Sequence, residues 1–544
     1  MTRCENDRNV GRRTFLKSAG VAAAAVSVAG CVGGSGASTG TEETTTTGST
    51  GGEDATSEGS GSESAEFAVQ VTMGQMDSGL DPQDHAETNT NIVVSQAYEK
   101  LLDRDKDGSI VAGLATDWER VESGTARFTL REDVTFHDGE PLTPEDVAYS
   151  IRRIVDDDVG VASPQKNDLG SVEEVVAGDG EVTVHFSGLN PIVFQLFATN
   201  GEVVQKAWFE ENSQDHVNRN ANGTGPFELV TYDSMSEVVF EANEDYWGEP
   251  AAADRLALNA SSESSTRVNR LLAEESDVVT NVPPQEVSRI EESDVASVAS
   301  VASTRVIFLQ MRYDVEPFTS QQFRQAMNYA VDVEGVVESV LNGFGTATGQ
   351  PTLESFTGYN PDVDPYPYDP DTAEELVEES GFAGAEITLQ TPTGRYLKDV
   401  EVAQAAANQI DSLSNVSCEL EQREFSSLVQ DVTTGKIEDK PAFNLLGWGN
   451  GEFDAAQTIV PLLTSDGELT VLKNDDVDAL VEKAQSEADP DERAALLEEA
   501  NALLHDLAPW VFMHQQYSVY GVSNEVDWEP RADEIVDPYT ATPK

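Results

Sequence analysis

Cysteine is nearly missing from this chain, with three in 544 residues, at positions 4, 31 and 418. Cys4 and Cys31 fall in what reads as an export segment, so Cys418 is left alone and no internal disulfide can form in the mature body. Stability must come from buried apolar surface, for which residues 67–544 are ample, as several subdomains of one body. Cations are scarce too: 33 Lys and Arg face 99 Asp and Glu, and the acids run along the whole chain rather than gathering in a tail. Phosphate binding needs clustered cations, so nucleic acid is excluded as a partner. Self-repulsion on this scale opposes a compact state in dilute buffer. At molar salt the Debye length shrinks to about 3 Å, so the composition points to a halophile's protein that loses structure at low salt. The six histidines contain no i, i+4 pair and no partner at ligand spacing, which speaks against a directly bound metal. No Gly-x-Ser-x-Gly elbow and no His-Glu-x-x-His zinc motif occurs, which weighs against a secreted hydrolase. No repeat of solenoid or propeller period is present, and no cofactor is expected.

What is there begins at the amino terminus. Gly11-Arg12-Arg13-Thr14-Phe15-Leu16-Lys17 resembles the twin-arginine export signal, with Arg12 and Arg13 as its pair, and an apolar run from Ala19 to Gly30 follows. That run is too short to span a bilayer, which needs about 20 apolar residues. Val28-Ala29-Gly30-Cys31 looks like a lipobox, in which the Cys31 thiol takes a lipid and becomes the mature N-terminus. The plainer reading is an ordinary cleaved signal with an incidental Cys31. From Val32 to Glu66 the chain is almost wholly Gly, Ser, Thr, Glu, Asp and Ala, a composition that cannot offset its ordering entropy and reads as a solvated tether. The expected location is therefore the outer face of the cytoplasmic membrane.

Periodicity gives the coarse structure of the rest. Phe67, Val69, Val71 and Met73 alternate with polar or small residues and predict a half-buried strand. Val175 to Phe186 reads as a hairpin turning at Gly178-Asp179-Gly180. The second half alternates helices with short strands, a βαβ pattern: a helix capped by Asp371 or Thr372 and ending near Gly381, a strand from Glu386 to Gln390, a helix from Leu397 to Leu413 and a strand from Val416 to Gln422. Asp489 caps a further helix with Pro490 in its first turn, and Pro509 ends it. Trp510–Met513 and Val519–Val522 return to strand character.

From Tyr98 onward the chain resembles the family 5 solute-binding proteins, the receptors of peptide, nickel and related ABC importers. The resemblance rests on an ordered series: Tyr98-Glu99-Lys100-Leu101-Leu102, Gly113-Leu114-Ala115-Thr116-Asp117-Trp118, Phe128 to Gly139, and Leu142-Thr143-Pro144-Glu145-Asp146-Val147. Gly223-Thr224-Gly225-Pro226-Phe227, Asn243 to Gly248, Phe323 to Asp332, Gly447-Trp448-Gly449 and Ala508-Pro509-Trp510-Val511 follow in the same order. Taken singly, most of these blocks are structural. His137 reads as a turn histidine with a satisfied hydrogen bond, and Gly223-Thr224-Gly225 as a turn into a strand, since it lacks the Lys-Ser/Thr of a phosphate loop.

The resemblance implies an α/β fold of the type II periplasmic-binding-protein class, large and with an extra subdomain, in which two lobes flank a ligand cleft. The expected division is a signal at 1–30, a tether at 31–66, lobe I at 67–303 with an inserted subdomain at about 99–221, lobe II at 304–509, and a return to lobe I at 510–544. Arg305–Arg312 and Trp510–Val522 are the expected crossings. The implied function is capture of a solute, foremost a peptide, by a monomer that delivers it to ABC permease subunits without chemistry. Nickel chelates and oligosaccharides are the alternatives within the fold, and a membrane sensor is the alternative partner.

In the family, the loop after Gly447-Trp448 lines the cleft, and peptide-binding members carry an Asp three residues beyond the Trp that pairs with the peptide amine. Here Gly451 stands at that position, so Glu452 and Asp454 are the nearest acids. For the peptide carboxylate the nearest cations are Arg395 and Lys398, with Arg better suited to bidentate pairing; both also read as solvated surface charge. Trp448 is expected to face the solute, with core packing as the alternative.

Overall fold

The computed structural model describes residues 67–544 apart from 77, 86, 107, 157, 235, 434 and 435. The expected signal with Arg12 and Arg13, the lipidated Cys31 and the tether lie outside the described residues.

An eleven-stranded sheet runs through the body, with two long antiparallel strands, Ala296–Met311 and Trp510–Ser523, at its middle. Beyond the second lie Val278–Val279, Ala68–Met73, Arg255–Ala260, Glu237–Ala242 and Phe227–Asp233; beyond the first lie Phe443–Gly449, Ala385–Pro392 and Val416–Arg423. The two long strands serve both flanks. Ala296–Ala302 pairs with Tyr517–Ser523 next to Val278–Val279, whereas Arg305–Met311 pairs with Phe443–Gly449. Between these halves the register slips, from Ala302 to Val306 and again from Ile307 to Phe308, and such bulges increase local twist and re-aim the chain.

Period-two alternation divides the second flank into two cores. Ile307, Leu309, Val511 and Met513 face a cluster with Phe323, Met327 and Ile410, while Phe308, Trp510 and Phe512 face Ile459, Leu462 and Leu504. Phe308 and Trp510 stack with centroids 3.6 Å apart. The first flank packs Val69, Val71, Phe227, Phe240 and Tyr520 together. A separate antiparallel sheet, ordered Ala115–Glu122, Thr125–Leu130, Glu181–Phe186, Val172–Ala177, has its own core of Phe128, Val147, Ile151 and Phe197.

Local chemistry explains the elements. The hairpin turns at Gly180, at φ +74°, which glycine adopts without a Cβ penalty. Thr143 and Asp146 form a reciprocal capping box on the helix Pro144–Val155. The helix Pro370–Ser380 is capped by Asp369, not by Asp371 or Thr372, because Pro370 occupies its first turn and the Asp369 carboxylate takes the Thr372 amide; it ends at Gly381, φ +81°. The helix expected from Leu397 runs Asp399–Asp411. Its start is delayed because the Asp399 carboxylate accepts the backbone amides of Gly394, Arg395 and Tyr396, coiling that stretch into a loop. Residues 510–523 form one unbroken strand rather than two. Cys418 is buried and unbonded. Among the described residues no helix is long and apolar enough to cross a membrane.

Candidate functional site

A cavity of about 830 Å³ opens where the bulged middle of the strand Ala296–Met311, the 394–399 loop, the 449–452 loop and the segments bearing Tyr98 to Arg104 and Ala198 to Asn200 meet. Its first wall is built on the strand Phe443–Gly449. The Tyr396 hydroxyl donates to Gly447 O at 3.1 Å. A Cβ on Gly447 would lie 2.6 Å from Ile307 Cδ1 and 2.8 Å from Tyr396 Cε1, so only glycine lets the ring close on the strand. Trp448 is among the residues that line the cavity and also packs against the cluster of Phe308, Leu446 and Leu462, while its indole N–H donates to Gln457 O at 3.2 Å. Arg395 lines it too, its guanidinium 5.4 Å from the Tyr396 centroid and 5.2 Å from that of Phe425, an arrangement that holds a cation without neutralising it. Among the described residues no carboxylate pairs with Arg395. Lys398 does not line the cavity; it pairs with Glu401 at 2.8 Å.

The loop after Trp448 settles the two acids differently. Asp454 is fully buried and is not a cavity residue, which corrects the expectation for it. Its two oxygens take Arg493 Nη1 and Nη2 at 2.6 and 2.7 Å, and it also accepts the Ala456 amide as helix cap. With Asn450 bonded to Asp454 O and Thr458 Oγ1, and Phe453 buried in the left-handed region at φ +56°, the loop has no slack. Glu452, by contrast, lines the cavity with no hydrogen bond or ion pair to another side chain among the described residues. Burial pushes its carboxyl up to about 7, Asp168 adds to this, and Arg104 opposes it.

The facing wall supplies residues that the motif reading did not single out. The Glu99 carboxylate accepts from Thr224 Oγ1 at 2.7 Å and from Tyr246 OH and Trp247 Nε1 at 2.9 Å; burial nonetheless pushes it up to about 7. Arg305 pairs with Glu534 at 3.0 Å and Arg531 with Asp533 at 2.6 Å. Arg104 donates to Gly108 O and Gln195 O and sits 5.1 Å from the Phe453 centroid, while Thr199 Oγ1 donates to Gly451 O. The acid-bearing loop thus touches the inserted unit across the cavity. Glu99 lay in plain view in the Tyr98–Leu102 block, but nothing in a glutamate of the irregular stretch before Leu102 announces its three donors, which arrive from residues 224, 246 and 247. His137 lies outside the cavity and hydrogen bonds Gly225 O at 3.1 Å, as a turn histidine does.

This arrangement has organic-solute dimensions, aromatic walls and isolated charges of both signs, and it lacks a nucleophile–base pair among the described lining residues. The family model of bacterial extracellular solute-binding proteins, family 5 Middle, matches residues 109–469. The chain belongs to this family. Family 5 members are the substrate-binding proteins of ABC importers, and the relatives found are solute-binding proteins, not enzymes. Heme-binding protein A of Haemophilus influenzae is 24% identical over 460 residues, covering 78% of this chain and 82% of that one. The dipeptide-binding protein of Escherichia coli K12 is 25% identical over 434 residues, covering 74% and 80%. The solved structure of DppA, an ABC transporter-associated periplasmic binding protein from Helicobacter pylori, in complex with the peptide STSA, superposes with a TM-score of 0.73 at 21% identity over 88% of this chain and 98% of that one. The fold is the type II periplasmic-binding-protein fold of family 5.

Proposed function

We propose that this family 5 protein captures a short peptide in the cavity and, as a monomer, delivers it to ABC permease subunits at the outer face of the cytoplasmic membrane. One observation carries the peptide reading: Glu452 and Arg395, opposite in charge and each without an ion-pair partner among the described residues, line the same cavity. They match the two ends of a zwitterion, and the Trp448 and Tyr396 rings suit its apolar body. We take lobe I (67–303, with the insert at about 99–221), lobe II (304–509) and the return at 510–544 as the jaw; the cluster that joins Val69 and Phe227 to Tyr520 and Trp528 supports a return to lobe I, while Trp510–Met513 still pack with lobe II. Ligand binding would shift such a jaw from open to closed populations.

Calorimetry at molar KCl with short alanine peptides tests the reading. Glu452→Gln should weaken binding about tenfold to a hundredfold, the range of a hydrogen bond to a charged group. Amino-terminal acetylation of the peptide should cost the wild type as much and the variant little more. Because the free carboxyl is neutral below about 7, wild-type affinity should rise about tenfold per pH unit below that value and level off above it, as long as the peptide amine stays charged. A flat profile together with an indifferent Glu452→Gln removes Glu452 as the anchor, and binding of a nickel chelate or an oligosaccharide in place of peptide replaces the reading.

The membrane reading is tested in cells. Replacing Arg12 and Arg13 by Lys should leave precursor inside, and Cys31→Ser should move the exported protein from membranes to the medium. Unchanged membrane association of the Cys31→Ser protein refutes the anchor.

A further inference from the structure

We propose that the stretch of the cavity beyond Arg395 is an apolar subsite for the side chain of the solute's carboxy-terminal residue, so that the favoured peptides end in leucine or a residue of like size and polarity. This rests on the peptide reading above and narrows its substrate class.

The first observation is an apolar stripe on one short helix. In Phe425–Val432 the residues Phe425, Leu428, Val429 and Val432 recur at i, i+3, i+4 and i+7, which is one helix face. Leu428 and Val432 are buried in the same cluster as Phe308, Leu446 and Leu462, while Phe425 and Val429 are half-buried. Phe425, Val429 and Val432 all line the cavity. So do Leu446 and Trp448, which alternate onto one face of the strand Phe443–Gly449, and Leu469, which packs on that cluster. Helix, strand and loop thus make one apolar wall joined by side-chain contact. Phe425, Val429, Trp448 and Leu469 keep part of their surface uncovered along it.

The second observation is that the wall is set in advance. The Leu469 amide donates to Pro461 O at 2.9 Å, and its carbonyl accepts Gln310 Nε2 at 3.1 Å. Lys440, 6% exposed, donates its ammonium to the carbonyls on either side, Glu468 O at 2.7 Å and Thr470 O at 3.0 Å. Both backbone polar groups of Leu469 are answered and its flanks are tied down. An aliphatic group that enters here removes apolar surface from water without first having to order a loop.

The third observation is what borders the stripe. Arg395 stands 5.2 Å from the Phe425 centroid, and the Tyr396 ring meets Phe425 edge-on with centroids 6.3 Å apart. The cation that the peptide reading assigns to the carboxylate and the apolar wall therefore share one aromatic ring. An α-carbon carries its carboxylate and its side chain together, so a carboxylate held at Arg395 brings the last side chain next to the stripe. Of the described cavity residues between Phe425 and Leu469, Glu452 alone is charged, and it interacts with Arg104 and Asp168 of the inserted unit. A charged last side chain would lose hydration on this wall and gain no partner.

The test is calorimetry of the full-length protein at molar KCl with the tripeptides Ala-Ala-Leu, Leu-Ala-Ala and Ala-Ala-Ala. The wild type should bind Ala-Ala-Leu about tenfold to a hundredfold tighter than Ala-Ala-Ala, the effect of burying three further carbons. It should also prefer Ala-Ala-Leu to Leu-Ala-Ala, which has the same composition and charge. Val429→Trp, which fills the subsite, and Leu469→Asn, which makes it polar, should each lower the ratio of Ala-Ala-Leu to Ala-Ala-Ala affinity. Reading a ratio separates selectivity from any general weakening, and both positions are half-buried, so circular dichroism should show both variants folded. Equal wild-type affinity for Ala-Ala-Leu and Ala-Ala-Ala overturns the subsite and leaves the peptide reading standing. Equal affinity for Ala-Ala-Leu and Leu-Ala-Ala overturns its place at the carboxy end, and a full preference retained in both variants overturns its place on this wall. Failure of all three peptides to bind overturns the peptide reading and the subsite together.

Discussion

Replacing Arg493 by Met should destabilise the folded protein by about 3–5 kcal/mol, the cost of breaking a buried ion pair by removing one partner. Asp454 has no exposed surface and Arg493 is 6% exposed. Both carboxylate oxygens are answered by the same guanidinium, the bidentate geometry that Arg alone provides. The pair sits among Phe453, Ala455 and Leu497, which are themselves buried, so water cannot replace the lost partner. Thermal or guanidinium unfolding at molar KCl should show the loss. The double variant Arg493→Met with Asp454→Asn should recover much of it, because the amide oxygen still caps the Ala456 amide and no uncompensated charge remains. An unchanged midpoint in the single variant would mean that the pair is incidental. A second readout separates stability from binding: the same loop carries Glu452, so the single variant should also weaken solute binding at temperatures where it stays folded.

That loop also shows where sequence reasoning stops. Two acids two residues apart, Glu452 and Asp454, look equivalent on the page. What divides them is a cation 39 positions downstream that comes from the helix Pro490–Leu507, and no local pattern announces that meeting. Local rules did reach the Gly180 turn, the stop at Gly381 and the start of the helix at Pro490, because each depends on neighbours within a few residues. They missed the coil before Asp399, where a carboxylate gathers three preceding amides, and the continuity of 510–523, whose polar middle, His514 to Ser518, breaks the apolar pattern that marks a buried strand. Trp448, Glu452 and Arg395 were legible only through the order of motifs around them. Glu99 and Arg104 owe their place in the cavity walls to long-range packing.

The same logic explains how an acid-rich chain can keep a selective cavity. Three buried acids are each answered locally: Asp81 by Arg153, Asp454 by Arg493, Asp146 by the Thr143 hydroxyl and the Lys206 amide. Burial holds the Glu99 and Glu452 carboxyls near 7, Glu99 despite its three donors, so at neutral pH a substantial share of each is uncharged. On the surface some acids pair locally, as Glu401 does with Lys398 and Glu529 with Lys106, but 33 cations cannot answer 99 acids one by one, and for the rest the solvent must supply the screening.

Dialysis from molar to millimolar KCl should therefore unfold the body, with loss of helical circular dichroism and of solute binding. The formal charge is -66, and its consequence is visible on single elements. The helix Pro370–Ser380 carries Asp371, Glu374, Glu375, Glu378 and Glu379 with no lysine or arginine. Asp371 with Glu375, Glu374 with Glu378, and Glu375 with Glu379 are like charges at i, i+4, each costing about 0.2–0.5 kcal/mol where unscreened. The helix Asp475–Ser486 opens with Asp475, Asp476 and Asp478, which suit its N-terminus but repel one another. At molar salt, with a Debye length of about 3 Å, these terms nearly vanish; at 0.1 M, about 10 Å, neighbouring carboxylates across a whole face interact. Repulsion summed over the surface can then exceed a net stability of about 5–15 kcal/mol. Glu375→Lys with Glu378→Lys should lower the KCl concentration needed for half-folding, because the two lysines turn all three i, i+4 repulsions into attraction. Sucrose at millimolar salt separates screening from general stabilisation of the compact state, since it favours burial without shielding charge. If sucrose alone restores the circular dichroism as fully as KCl does, or if the two-lysine variant needs as much salt as the wild type, charge repulsion is not what unfolds the protein.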